Sequence, residues 1–174
     1  RADHLTLSPL LMESFLRLGQ TIVESKDLNA KECRSWKSFF EAPPADKQAS
    51  ELYTRIATLL RRAWRRPVEA ETLDRFTAFA VKTLADGASF TDAMKTVAGA
   101  AIASPDFIYL YDRAGEQALG KVDEFELAAR LSFFLWSSIP DDELLAVAER
   151  GELFAQLQEI IDFACIYKEI RPSV

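Results

Sequence analysis

A chain of 174 residues, 49% hydrophobic and 28% charged, is long enough to bury a sizeable core and needs neither a metal nor a disulfide to fold. Six Gly and seven Pro argue against disorder and against a turn-rich sandwich. A net charge of −6 argues against a general nucleic-acid binder, which usually carries a basic field.

The first predicted element opens at Ser8-Pro9, with serine as N-cap and proline at the first helical position. Leu11, Phe15, Leu18 and Ile22 then form one stripe and Met12, Leu16 and Val23 a second, which predicts a helix buried over a wide arc. The pattern breaks over residues 26–50. Pro43-Pro44 cannot continue a helix, and Trp36, Phe39 and Phe40 are the hydrophobic anchors, so this stretch reads as a linker or exposed arm.

From Ser50 to Arg66 an amphipathic helix carries Leu52, Ile56, Leu59, Leu60 and Ala63 on one side and Arg55, Arg61, Arg62, Arg65 and Arg66 on the other. Pro67 ends it. A third helix over about 69–86 has Leu73, Phe76, Ala80 and Leu84 as its stripe and Gly87 at C′. The fourth, over about 91–103, is rich in Ala and Gly, so neighbouring backbones can approach it from several sides. Ser104-Pro105 stops it, and the run from Phe107 to Tyr111 reads as an extended connector.

Asp123 caps a fifth helix, with Glu126 close to a capping-box spacing. Phe125, Leu127, Ala128, Leu131, Phe133, Phe134, Leu135 and Trp136 point almost all the way round it at ~100° per residue, leaving a narrow wedge for Glu126 and Arg130. Such a helix is either the centre of a bundle or a contact for a partner. Pro140-Asp-Asp-Glu143 opens the sixth helix with acids at the positive end of the dipole, and Gly151 ends it. A seventh is expected from Glu152 to about Tyr167.

Chemistry is sparsely encoded. The single histidine, His4, leaves no His cluster for a metal, no ordinary Ser-His-Asp triad and no Cys-x-x-Cys-His haem attachment. Cys33 and Cys165 are too far apart in sequence to decide between pairing and free thiols. Asp141, Asp142 and Glu143 could hold a cation, but acids in a first turn more often stabilise the dipole and the cap. The Arg61-Arg62-Ala63-Trp64-Arg65-Arg66 run could clamp an oxyanion, since arginine forks match such oxygens. Structural use is favoured for it, through the helix C-terminus, acids on neighbouring helices and cation–π contact with Trp64. No apolar run approaches the ~18 residues that a membrane span needs, and no leader pattern precedes a cleavage site. The start at Arg1 rather than Met leads us to expect a processed protein or a piece of a longer one.

Arg61–Pro67, Ser104–Tyr109 and above all Phe125–Glu143, with Leu-Ser-Phe-Phe-Leu-Trp-Ser-Ser-Ile-Pro-Asp-Asp-Glu-Leu-Leu at its heart, resemble a bacterial cytochrome-c-associated family built from domains of unknown function 1592 and 1595. The Leu7–Leu11 start also looks like the segment preceding those domains. The resemblance covers about residues 5–153 and implies a helical module in a periplasmic or exported setting, in the company of electron-transfer or carbohydrate-degrading proteins. Any haem c would belong to a partner or another domain, because this chain carries no attachment motif.

These readings predict an all-α fold, an irregular bundle of about six to seven helices with one extended connector. They take 1–174 as a single helical domain, with 26–50 as linker or arm and 154–174 as an unmatched tail. The expected function is a scaffold or interaction module within a larger exported protein or complex, with other protein subunits or missing domains as partners. The alternative is a fragment of a periplasmic haem-linked oxidoreductase whose haem lies elsewhere. No catalytic constellation, metal site or cofactor is expected in this chain. Arg61, Arg62, Arg65 and Arg66 are the candidate anion site, a third reading. Phe133, Trp136, Ile160 and Phe163 are the candidate interaction residues.

Overall fold

The computed structural model describes residues 9–108 and 122–158, and every regular element among them is helical. The fold is all-α. Arg1–Tyr109 and Leu110–Val174 form two compact units, each described by itself below.

The first unit contains α1 (Pro9–Glu24), α2 (Trp36–Phe39), α3 (Gln48–Trp64), α4 (Ala70–Ala85), α5 (Phe90–Ile102) and α6 (Pro105–Ile108). Its core follows the amphipathic pattern closely. In α3 the buried side chains are Leu52, Ile56, Leu60 and Trp64, one every fourth residue along a single face. Opposite them lie Leu73 and Ala80 of α4 and Phe90, Met94, Val97 and Ala101 of α5. The α5 helix packs against α1, α3, α4 and α6, as its small residues allow. Ser89 caps it by accepting from the Asp92 amide at 3.1 Å.

Two stretches differ from expectation here. The wide buried arc predicted for α1 is not found: Gly19 is its one buried residue, while Leu10 is 74% exposed and Leu11, Leu16, Leu18 and Ile22 are exposed too. The cause is close backbone approach. A Cβ on Gly19 would sit 2.7 Å from the Gly99 carbonyl oxygen of α5, so the contact runs along the two glycines with Val23 beside them, while Met12 and Phe15 are half-buried and the leucines and Ile22 lie exposed. The 26–50 stretch, expected as a linker or arm, contributes Phe39 and Phe40 to the core. The Thr91 hydroxyl donates to the Phe40 carbonyl at 2.7 Å, and the Trp36 and Phe40 rings lie 5.5 Å apart.

The predicted connector from Phe107 begins instead inside a helical turn, α6. Ser104-Pro105 ends α5 and also starts α6: the Ser104 side chain accepts from the Asp106 amide at 3.2 Å, and Pro105 takes the first helical position. Tyr109–Tyr111 lie outside the described residues.

The second unit contains α7 (Glu124–Trp136) and α8 (Asp142–Glu149), with helical backbone again at 153–158. Its core is small and alanine-rich. Ala128, Ala148 and Leu153 are buried, with Phe125, Leu127, Leu131, Leu144, Val147 and Leu157 half-buried around them. Asp123 caps α7 through the Phe125 amide at 2.8 Å, and Asp141 caps α8 through the Leu144 amide at 2.8 Å. Glu124 reaches across to accept from the amides of Leu153 and Phe154, placing its charge at the start of the last helical segment. Gly151, at φ +71, makes the turn between. The seventh predicted helix is present as far as residue 158. Its remainder lies outside the described residues.

Candidate functional site

Arginines in the first unit are used as fasteners. Arg65 ends α3 in the left-handed region, at φ 60, a conformation that costs a non-glycine residue about 1 kcal/mol. Its guanidinium lies back over the helix end: one Nη donates to the Ala63 carbonyl at 3.2 Å and the other to the Phe107 carbonyl at 3.0 Å, with the Phe107 ring 5.9 Å away. Burial, and the Arg66 charge beside it, lower its pKa from the ordinary arginine value. The neighbouring Trp64 is buried, donates through Nε1 to the Ala101 carbonyl at 3.1 Å and meets the Phe76 ring edge-on at 5.4 Å. Thus Trp64 and Arg65 tie the end of α3 to α5 and α6.

Other cations repeat the theme on the same unit. Arg62 lies over the Phe39 ring at 5.9 Å, Arg55 over Phe90 at 5.4 Å and Lys95 over Trp36 at 5.5 Å. Arg55 also pairs with Glu51 one turn earlier and donates to the Glu41 carbonyl. Of the four arginines taken as a candidate anion site, Arg65 is buried, while Arg61, Arg62 and Arg66 are half-buried and already engaged.

The second unit is built in the opposite sense. Along α7 the buried residues are Glu126, Ala128, Ala129 and Ser132, whereas Phe133, Phe134, Leu135 and Trp136 are exposed. The expected polar wedge is therefore divided. Glu126 is buried and pairs with Arg130, whose side chain reaches solvent, so it does not close a capping box with Asp123. The second carboxylate oxygen of Glu126 is buried with no hydrogen-bond partner.

At its C-terminus α7 stops on Ser137, left-handed at φ 52, whose amide donates to the Phe133 carbonyl at 3.1 Å. The buried Ser132 hydroxyl donates to the Ser138 carbonyl at 2.9 Å and pins the turn. The resulting corner displays Phe134 at 84% exposure and Trp136 at 63%, with Ile139 beyond. A recess of about 300 Å³ opens there, lined by Ser132, Trp136, Ser138, Ile139 and Asp141.

Two of the candidate interaction residues, Phe133 and Trp136, thus lie on this corner, with Phe134 and Leu135, which the sequence pattern marks only as part of an apolar helix. Ile160 and Phe163 lie outside the described residues, as do His4 and Cys165. Among the described residues no group of His, Cys, Asp and Glu could hold a metal. Cys33 is half-buried against the first core. No described helix is long and apolar enough to cross a membrane.

The chain is an all-α protein of two helical units, one fastened by arginine–aromatic contacts and the other displaying an aromatic corner. Residues 51–112 match the family model PSD5, protein of unknown function DUF1595, and residues 122–161 match PSD4, protein of unknown function DUF1592. The chain thus carries a match to each of these two domains of unknown function. The first match covers α3 to α6, and the second covers α7 and α8. No curated protein and no solved structure matches the chain.

Proposed function

We propose that this chain is a helical interaction module that meets another polypeptide through the α7–α8 corner. One observation carries the reading: the apolar helix α7 turns its aromatic end outward, leaving Phe134 84% and Trp136 63% exposed. A soluble chain seldom leaves neighbouring large apolar side chains in water without a use for them. Aromatic side chains are also what protein contacts concentrate at their centres. Phe133 and Trp136 serve as contact residues in this reading, and Ile160 and Phe163 of the tail are proposed to extend the same contact.

The exported setting and the haem-linked partner come from the family resemblance, and the competing oxidoreductase-fragment reading rests on it as well. The anion-clamp reading of Arg61, Arg62, Arg65 and Arg66 ranks third. Its support is the concentration of charge at one helix end, and the commitment of Arg62 to Phe39 and of Arg65 to Phe107 weighs against it.

Hydroxyl-radical footprinting of the purified chain, and of the same sequence within its native full-length product or complex, tests the module reading. Phe134 and Trp136 should oxidise readily in the isolated chain and become protected in the native assembly. Equal oxidation in both would remove the basis for an interaction role at this corner.

A further inference from the structure

The recess at the α7–α8 turn is a separate feature of the corner: Ser132, Trp136, Ser138, Ile139 and Asp141 line it, and Phe134 does not. Its shape is set from within. Ser137 turns in the left-handed region, and the buried Ser132 hydroxyl donates to the Ser138 carbonyl at 2.9 Å, so the walls are held before any ligand arrives. At about 300 Å³ it lies at the small end of ligand pockets, with room for a single six-membered ring. One wall is the Trp136 indole, 63% exposed, and another is the aliphatic Ile139.

Polar groups on these lining residues are left unspent. The Trp136 indole N–H and the Ser138 hydroxyl have no hydrogen-bond partner among the described residues. Asp141 caps α8 through one carboxylate oxygen, which accepts from the Leu144 amide at 2.8 Å, and its other oxygen has no donor among the described residues. We infer that the recess binds one neutral, polyhydroxylated ring, a pyranose unit of a carbohydrate, with its C–H face on the Trp136 indole and its hydroxyls on Ser138 and Asp141. Each ring hydroxyl is one donor and two acceptor sites, so hydroxyls answer an indole N–H, a serine hydroxyl and a carboxylate oxygen alike. The C–H bonds of the ring, partly positive, face the negative π surface of the indole. An apolar ring would cover the indole but leave the Asp141 oxygen and the Ser138 hydroxyl desolvated and unpaired. A neutral ligand draws nothing from the net charge of the corner. The inference goes beyond the interaction-module reading and does not depend on it.

Saturation-transfer NMR of the chain with the methyl β-pyranosides of glucose, galactose and mannose tests it, with adenosine and acetyl-argininamide as probes of the other classes an indole attracts. At least one pyranoside should receive saturation, strongest on the C–H protons of one ring face, with a dissociation constant of about 1–10 mM for a ligand of that size. Trp136→Ala, at an exposed position, should abolish the transfer. Trp136→Phe keeps a π face without the N–H and should bind more weakly than the parent but more tightly than Trp136→Ala. Asp141→Asn keeps a capping side chain and should weaken the pyranoside by about three- to tenfold. Far-UV circular dichroism of all three variants should match the parent.

Absence of transfer to all three pyranosides would overturn the inference. Transfer undiminished in Trp136→Ala and Trp136→Phe would put the sugar elsewhere on the chain and overturn it too. Stronger transfer to adenosine or acetyl-argininamide than to every pyranoside, lost in Trp136→Ala, would reassign the recess to a base or a cation. None of these outcomes decides the interaction-module reading, which the footprinting comparison reads at Phe134.

Discussion

Helices α3 and α7 make an instructive pair. The α3 helix carries five arginines around its apolar stripe and at its end, and buries Leu52, Ile56, Leu60 and Trp64 along one line. The α7 helix is the more apolar of the two, yet it buries a glutamate, a serine and two alanines and exposes the aromatics of its last turn. What places a side chain inside is thus the asymmetry of the helix and the space its neighbour leaves. In α3 one face is unmistakable and large residues fill the gap to α5. In α7 every face is acceptable, and beside Ala148 of α8 its fully buried residue is the small Ala128, with Phe125, Leu127 and Leu131 half-buried around it.

The contrast breaks most easily at Leu60. It is fully buried between α3 and its neighbours, so Leu60→Ala should cost about 2–5 kcal/mol, the transfer loss plus the cavity left behind. Denaturant unfolding followed through the buried Trp64 would report it on the first unit specifically. A cost under about 0.5 kcal/mol would show that the α3 stripe does not carry that core.

A smaller effect sharpens the same point at the α1–α5 contact. A methyl added at Gly19 would meet the Gly99 carbonyl oxygen at 2.7 Å, backbone against side chain, and α1 must shift to admit it. Gly19→Ala should therefore destabilise the first unit by about 1–3 kcal/mol despite the better helix propensity of alanine. Gly99→Ala is the control: its nearest neighbour is a Val23 methyl at 3.5 Å, an ordinary contact, so that change should be neutral or stabilising by up to about 1 kcal/mol. Thermal melts of the two variants should fall on opposite sides of the parent. If both fell equally, the glycine contact would not be what orients α1.

These outcomes also mark how far the sequence could be read. The helices α3 and α4 were legible because each has a single stripe, on which their buried residues lie apart from Trp64, and α5 because its small residues let several neighbours approach. The cap of α8 was legible because Asp141 precedes an acidic first turn and an apolar run. The outward turn of α1 was not, because its two adjacent stripes looked equivalent until Gly19 met Gly99. The start of α6 was hidden because Ser-Pro ends one helix and begins the next with the same two residues. At the candidate site, Phe133 and Trp136 could be named from composition, but nothing in the pattern said that the aromatic end of α7 would face water. Glu126 shows the same limit. Its spacing from Asp123 suited a capping box, and only packing decided that it would lie buried against Arg130.

The smallest expected effect lies at the most exposed aromatic. Phe134, at 84% exposure, takes part in neither described core cluster. Removing its ring therefore creates no cavity, and the lost apolar area is area that folding never took from water. Phe134→Ser should change stability by no more than about 0.5 kcal/mol, the range of ordinary surface substitutions. A small helix-propensity loss is included in that figure. The same truncation at buried Phe90 of α5 should instead cost several kcal/mol, about 3–5 by analogy with other Phe→Ala changes. Denaturant midpoints of the two variants, measured side by side, compare an inward ring with an outward one. A large loss at Phe134 would mean that its ring is covered within the chain itself, and the corner would then be part of the fold and not a surface kept for a partner.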